Sequence, residues 1–336
     1  MKLNNIFCSN MVFAAKLSIR IYGTGTGKAE ITFAGQTKTA ISNDDKWLVE
    51  FPPMEYGGPY ELVFDCGEEK VIFNDIYIGE VFLFAGQSNM QFKTCNSTTD
   101  KALYETNEKL RLFSTDRIEK TDYYTACDGW VKCEKERVGD WSAITYHTGI
   151  EIAKSKNIAV GVITCYQGAS VIESWVPEGT FKKNGINIPL DKKHIDHTNE
   201  AFSQWNKDGT LYSYALSQVV PFSISAVVWY QGESDTSLEE AKVYKKELSI
   251  LIDTWRKDFL NVDLPFVIIQ IADFDNRKDT AWKLVQTAQY EIQKSVPHTK
   301  TVISADVCES DDIHPPTKFK LSKRIASALE TEILGV

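Results

Sequence analysis

Near residue 75 the hydrophobic rhythm of the chain changes, and with it the kind of sheet the chain can build. Upstream, apolar and polar residues alternate. Leu17, Ile19 and Ile21 form one such set, followed by Ala29-Ile31-Phe33, Trp47-Val49-Phe51 and Tyr60-Leu62-Phe64. Period two gives each strand one buried and one wet face. Turn formers fill the breaks: Gly23-Thr24-Gly25-Thr26-Gly27, Asn43-Asp44-Asp45 and Gly57-Gly58-Pro59. Residues 1–74 are therefore expected to form a small antiparallel β-sandwich domain.

Downstream the apolar residues come in short unbroken runs, Val81–Ala85, Ile158–Thr164, Ala226–Tyr230, Phe266–Ile271 and Thr301–Ser304. Such runs suit strands covered on both faces, as in a parallel sheet. Amphipathic helices lie between and after them. Leu238, Ala241, Tyr244, Leu248, Leu251, Trp255 and Phe259 recur at helical spacing behind a capping box read as Thr236-x-x-Glu239. Trp282, Val285, Ala288 and Ile292 mark a second helix, and Leu321, Ile325, Ala328 and Ile333 a third. Alternating strands and helices predict an α/β/α domain over 75–336. Residues 178–212 are polar and aperiodic and read as a long surface insertion.

Charge and cysteine content remove several classes of function. Acidic residues outnumber basic ones, 46 to 37, giving a formal charge of −9, so no basic footprint for nucleic acid or an anionic membrane is expected. The seven cysteines are scattered and include no CxxC pair, which argues against a disulfide framework or a zinc knuckle. They read as reduced thiols. With no apolar run long enough to span a bilayer and no h-region near Met1, the expectation is a cytoplasmic chain.

Reactive groups of a parallel sheet gather where its strands end. Phe84-Ala85-Gly86-Gln87-Ser88-Asn89-Met90 places Ser88 just past a buried strand. Asp311-Asp312-Ile313-His314-Pro315-Pro316 offers a histidine base with acids close before it, and an acid three residues earlier can fold back onto the ring. Cys165-Tyr166-Gln167-Gly168-Ala169-Ser170 supplies a glycine whose N–H can meet an oxyanion, and Gln231 in Trp229-Tyr230-Gln231-Gly232-Glu233-Ser234-Asp235 offers a side-chain amide to the same hole. Each block alone is as readily a tight turn. His194-Ile195-Asp196-His197 is the competing histidine cluster, but it lacks a third ligand nearby, and no metal site is expected. The run at 23–27 followed by Lys28 and Ala29 fails the phosphate-loop spacing, and the GxSxG elbow is absent around Ser88.

Taken together and in this order, the blocks resemble the SGNH-hydrolase superfamily, specifically its sialate O-acetylesterase-like carbohydrate esterases. Gly86-Gln87-Ser88-Asn89-Met90, preceded by Asp75-Ile76-Tyr77-Ile78-Gly79-Glu80-Val81, and Trp229-Tyr230-Gln231-Gly232-Glu233-Ser234 carry the resemblance most specifically. Trp141-Ser142-Ala143, Glu173-Ser174-Trp175 and Asp312-Ile313-His314-Pro315 support it. The resemblance implies a flavodoxin-like SGNH catalytic domain and a serine esterase releasing acetate from a sugar, with no cofactor. By position it makes Ser88 the nucleophile and His314 the base, and builds the oxyanion hole from Ser88, Gly168 and Gln231. It places Gln87, Asn89, Glu233 and Trp175 on the substrate side. The triad acid is Asp311 by D-x-x-H spacing, with Asp312 as the alternative. O-acetylated sialic acid is the first substrate candidate, and acetyl-xylan or another plant glycan the second. A catalytically dead carbohydrate-binding protein and a lipid or thioester esterase are the readings from other classes.

Overall fold

The computed structural model describes residues 1–42, 44–118 and 129–334, with the side chains of 333 and 334 excepted. Cys127 and Asn43, both used in the sequence reading, lie outside the described residues. Fourteen strands follow in order: β1 Lys2–Leu3, β2 Val12–Ala14, β3 Ile19–Thr24, β4 Lys28–Phe33, β5 Gln36–Ile41, β6 Lys46–Phe51, β7 Gly57–Asp65, β8 Lys70–Gly86, β9 Asn107–Ser114, β10 Val131–Cys133, β11 Val160–Tyr166, β12 Ala226–Tyr230, β13 Phe266–Ile269 and β14 Thr299–Val302. The helices are α1 Ser88–Gln91, α2 Ala143–Lys156, α3 Thr180–Lys183, α4 Thr210–Tyr214, α5 Leu238–Asp258, α6 Thr280–Glu291 and α7 Phe319–Leu329.

The fold is mixed α/β, built on one large mixed sheet. Strands run β10-β9-β11-β8-β12-β13-β14, all parallel except the antiparallel edge strand β10. The unbroken apolar runs of the sequence are its central strands, and β8, β12 and β13 are buried along their parallel stretches. The period-two segments form β3, β4, β6 and β7. A separate sheet, β1-β3-β6, faces the strands β4 and β7, with Phe33 against Phe51 at 6.0 Å and Trp47 against Phe64 at 5.8 Å.

The boundary expected at 74/75 falls inside a single strand. β8 is seventeen residues long: its first half pairs antiparallel with β7, its second half parallel with β11 and β12. The core is continuous across that point as well. Phe13 stacks on Phe222 at 5.6 Å, and Trp130 lies 6.3 Å from Phe222.

Two local expectations need correction. The capping box of α5 is Ser237 with Glu240, one residue after the expected pair. Both Thr236-x-x-Glu239 and Ser237-x-x-Glu240 fit the pattern, but Thr236 turns its hydroxyl back to the Glu233 carbonyl at 2.8 Å. The insertion 178–212 holds two short helices, α3 and α4, and packs inward through Phe181, Trp205 and Leu211. Among the described residues no helix is long and apolar enough to cross a membrane.

Candidate active site

The site begins at a glycine that no other residue can replace. At the end of β8, Gly86 has φ +142°, and a Cβ there would lie 2.0 Å from the Tyr230 carbonyl oxygen. The close approach lets neighbouring strand ends latch together. Gln87 N–H donates to Tyr230 O at 3.0 Å, and Gln167 N–H to Gly86 O at 3.0 Å. The Gln87 side chain accepts the Gly232 N–H at 3.1 Å. Ser88 then opens the single turn α1, half-buried at the carboxyl end of the sheet.

His314 comes from the loop after β14, and its Nε2 lies 2.8 Å from Ser88 Oγ. The Phe92 ring stacks on the imidazole at 6.4 Å. Burial holds the imidazole below its usual pKa; the nearby Lys318 ammonium adds to that, and Asp312 opposes it. At neutral pH the ring is therefore mainly the neutral form that accepts a proton from a hydroxyl.

The carboxylates preceding it behave otherwise than the spacing predicts. Asp312 Oδ1 accepts the backbone N–H of His314 at 2.8 Å. Asp311 is exposed, and among the described residues neither aspartate hydrogen-bonds the imidazole. The loop through 311–314 is a series of bends rather than a helical turn, so a residue three back is not brought under the ring. The expected Asp311 bond is thus replaced by a backbone bond from its neighbour.

Gly168 stands next to the serine: a Cβ on it would lie 3.8 Å from Ser88 Cβ. Neither the Ser88 nor the Gly168 N–H is hydrogen-bonded among the described residues, so both donors are unspent. Gln231 does not join them. It is fully buried, its Nε2 donates to Ser170 O at 2.8 Å and to the Asp235 carboxylate, and its Oε1 accepts the Tyr244 hydroxyl at 2.8 Å. A side chain with all three bonds satisfied below the surface is a structural tie between strand ends. Gln167, quoted in the motif but given no role from sequence, takes the nearer place. Its buried Oε1 has no hydrogen-bond partner, and the residue lines the cavity beside Ser88.

That cavity has a volume of about 620 Å³. Gln87 and Glu233 line it, as expected. Trp175 and Asn89 do not. Trp175 is wholly buried, edge-on to Trp229 and Trp255, and donates its indole N–H to Ser170 Oγ at 3.0 Å. Aromatic walls come instead from Phe274 and Trp282, and from Phe202 and Trp205 of the insertion. Arg117 and Arg277 also reach the cavity. Arg277 is braced by Asp279 at 2.7 Å and by the Thr236 carbonyl at 2.8 Å. The insertion read as surface is therefore one wall of the site.

The wall is pinned from behind by His197. Its Nδ1 lies 3.3 Å from Glu173, and its Nε2 lies 2.5 Å from Glu240 Oε1, off the line of a hydrogen bond. Asn206 adds bonds to the Ala169 carbonyl at 2.7 Å and the Asp196 carbonyl at 3.0 Å. His197, Asp235 and Glu240 bring one donor atom each within 4.8 Å of one another, the spacing of a loose metal site. Yet two donors held about 2 Å from one ion at a tetrahedral angle stand roughly 3.3 Å apart. At 2.5 Å, His197 Nε2 and Glu240 Oε1 stand too close together to share one ion in that way. Although burial raises the Glu240 carboxyl, bonds from His197 and Ser237 outweigh it and lower its pKa, whereas burial and the nearby Glu240 and Glu247 push Asp235 well up.

Residues 194–331 match the family model described as carbohydrate esterase, sialic acid-specific acetylesterase, a span that includes His314 but not Ser88. The chain is 24% identical to the sialate O-acetylesterases of Homo sapiens and of Pongo abelii, in each case over 91% of this chain and 65% of the relative. It thus spans just under two thirds of the length of the curated relatives it matches. The crystal structure of a carbohydrate acetylesterase from Xanthomonas citri superposes with a TM-score of 0.86 at 23% identity, over 100% of this chain and 76% of that one. In sequence the chain is similar to the sialate O-acetylesterases, and in fold to a carbohydrate acetylesterase.

Proposed function

We propose that this chain is a serine esterase that removes O-acetyl groups from carbohydrate. The observation that carries the reading is the 2.8 Å contact between Ser88 Oγ and His314 Nε2 in a cavity that Gly168 also lines. In this mechanism Ser88 attacks the acetyl carbonyl as His314 takes its proton. The N–H groups of Ser88 and Gly168 hold the oxyanion, each lowering the barrier by ~3 kcal/mol. His314 returns the proton to the departing sugar hydroxyl, and water then releases acetate from Ser88 by the same route. A base oriented through its backbone makes the pair a Ser–His dyad: Asp312 acts by capping the loop and through the local field, and Asp311 takes no part.

O-acetylated sialic acid is the favoured substrate. The curated relatives are named for it, and the Arg277 guanidinium, with Arg117, gives the cavity a cationic side suited to a sugar carboxylate. Neutral acetylated glycans such as acetyl-xylan are the alternative, favoured by the half-buried rings of Phe202 and Phe274. The finer architecture we infer is an SGNH α/β/α layering, with α2 and α7 on one side of the large sheet and α5 and α6 on the other, beside an N-terminal β-sandwich. The six described cysteines are free, in keeping with work in a reducing compartment such as the cytoplasm. Acetate release measured across acetylated sialic acids, acetyl-xylan and acetylated monosaccharides tests the reading. Turnover of none of them by folded protein overturns it.

A further inference from the structure

Asn89 sits behind the nucleophile, and its contacts join the two halves of the dyad. Its Nδ2 donates to Ile313 O at 2.9 Å and to Glu233 Oε1 at 2.6 Å, and its Oδ1 accepts from Lys318 Nζ at 2.6 Å. Ile313 O belongs to the peptide that leads into His314. One side chain is therefore covalently next to Ser88 and hydrogen-bonded next to His314.

The amide alone does not define its own orientation, because its two ends are nearly the same shape. Lys318 removes the ambiguity. An ammonium has no acceptor, so Oδ1 must face it, and both amide hydrogens must then face Ile313 and Glu233. Lys318 is wholly buried, with Nζ 5.1 Å from the Phe92 ring and 5.6 Å from the Tyr230 ring. Removing an ammonium from water costs several kcal/mol unless it is repaid by its contacts, and its only close hydrogen-bond acceptor among the described residues is Asn89. Burial lowers its pKa to about 8, against the opposing pull of Cys308 and Glu233. A cation held at that cost, at the start of α7 just after the base, is there for what it orients.

We propose that Asn89 and Lys318 are positioning residues that clamp the histidine loop to the nucleophile turn, holding His314 through its backbone where no carboxylate holds its ring. The proposal rests on the esterase reading of Ser88 and His314. Truncating the clamp leaves the oxyanion donors and the cavity in place, so it lowers kcat and spares KM.

The test compares parent, Lys318→Met, Lys318→Gln and Asn89→Asp. Each is titrated with a fluorophosphonate to count active sites and to time labelling of Ser88, alongside kcat and KM on nitrophenyl acetate and a thermal melt. Lys318→Met is expected to lose roughly 30-fold or more in kcat and labelling rate per active site, with KM within about threefold. Lys318→Gln can still donate to Asn89 Oδ1 and should recover a clear part of that loss. Asn89→Asp keeps a partner for Lys318 but loses both donors, and should fall with Lys318→Met; it decides the matter if Lys318→Met does not fold. Parent-like kcat in a folded Asn89→Asp or Lys318→Met overturns the clamp, as does a folded Lys318→Gln no better than Lys318→Met. Failure of the parent itself to label at Ser88 overturns the esterase reading and the clamp together.

Discussion

His314 gives Asp312 its backbone N–H at 2.8 Å, while its ring turns to Ser88. A carboxylate that caps the loop orients the base indirectly, which separates two adjacent acids that look equivalent in sequence. Asp312→Ala is expected to lower kcat by about tenfold by loosening the loop, and Asp311→Asn to stay within about twofold. Kinetics of the two variants on one acetyl ester check this. A loss of ~10³ in Asp311→Asn alone would restore it as the triad acid.

Ser88→Ala removes the proposed nucleophile. It should keep the parent melting temperature and lose at least ~10³ in kcat, with a phosphonate probe adding a single label to the parent and none to the variant. Peptide mapping that finds the label on another serine refutes the assignment.

The acid limb of kcat/KM should have its midpoint below the usual histidine value of about 6.5. The sign follows from the site: burial and Lys318 disfavour the imidazolium, so the active neutral base survives to lower pH, and activity is lost as pH falls through the depressed pKa. Because Asp312 opposes that shift, Asp312→Ala should move the midpoint further toward acid. A pH profile of both proteins decides it, and a midpoint above 6.5 contradicts the assigned environment.

Gln231 and Gln167 should part company under mutation. Gln231→Ala strips partners from Ser170 O, Asp235 and the Tyr244 hydroxyl, and is expected to cost about 2–3 kcal/mol of stability. Gln167→Ala should leave the melt unchanged and alter KM or kcat for sugar esters more than for nitrophenyl acetate. Urea melts and the two substrates together distinguish a tie from a contact.

Much of the frame was legible in sequence because burial on both faces writes itself as an unbroken apolar run, as at Ala226–Tyr230. Helix α2 escaped notice for a related reason: ten of its residues, from Ala143 to Ala153, are buried, so it presents no amphipathic period. Strand β9 was hidden by Lys109 and Arg111. Arg111 is buried by lying over the Tyr77 ring at 4.7 Å and donating to the Asp75 and Asn10 carbonyls, a solution that no local pattern announces. The serine, the histidine and Gly168 could be found because motif order survives in the chain. The roles of Gln231, Asn89 and Trp175 could not, since a strand-end residue can point up into a cavity or down into the protein, and only packing decides which. The insertion was misplaced because its inward contacts, from Phe181, Trp205 and His197, are scattered in sequence and belong to no helix or strand of any length.

Strand β8 begins beside β7 among antiparallel neighbours and ends at the glycine before Ser88. A strand rises about 3.3 Å per residue, so this one ribbon is on the order of 55 Å of continuous backbone with Ser88 just past its tip. Cutting the chain at residue 75 would sever that ribbon, part β2 from its partner and β7 from part of its own, and open the shared aromatic core around Phe222. The N-terminal strands are thus no detachable accessory. They are the root from which the Ser88 turn grows, and a graft exchanging one half for a homologue's must carry the whole ribbon with it.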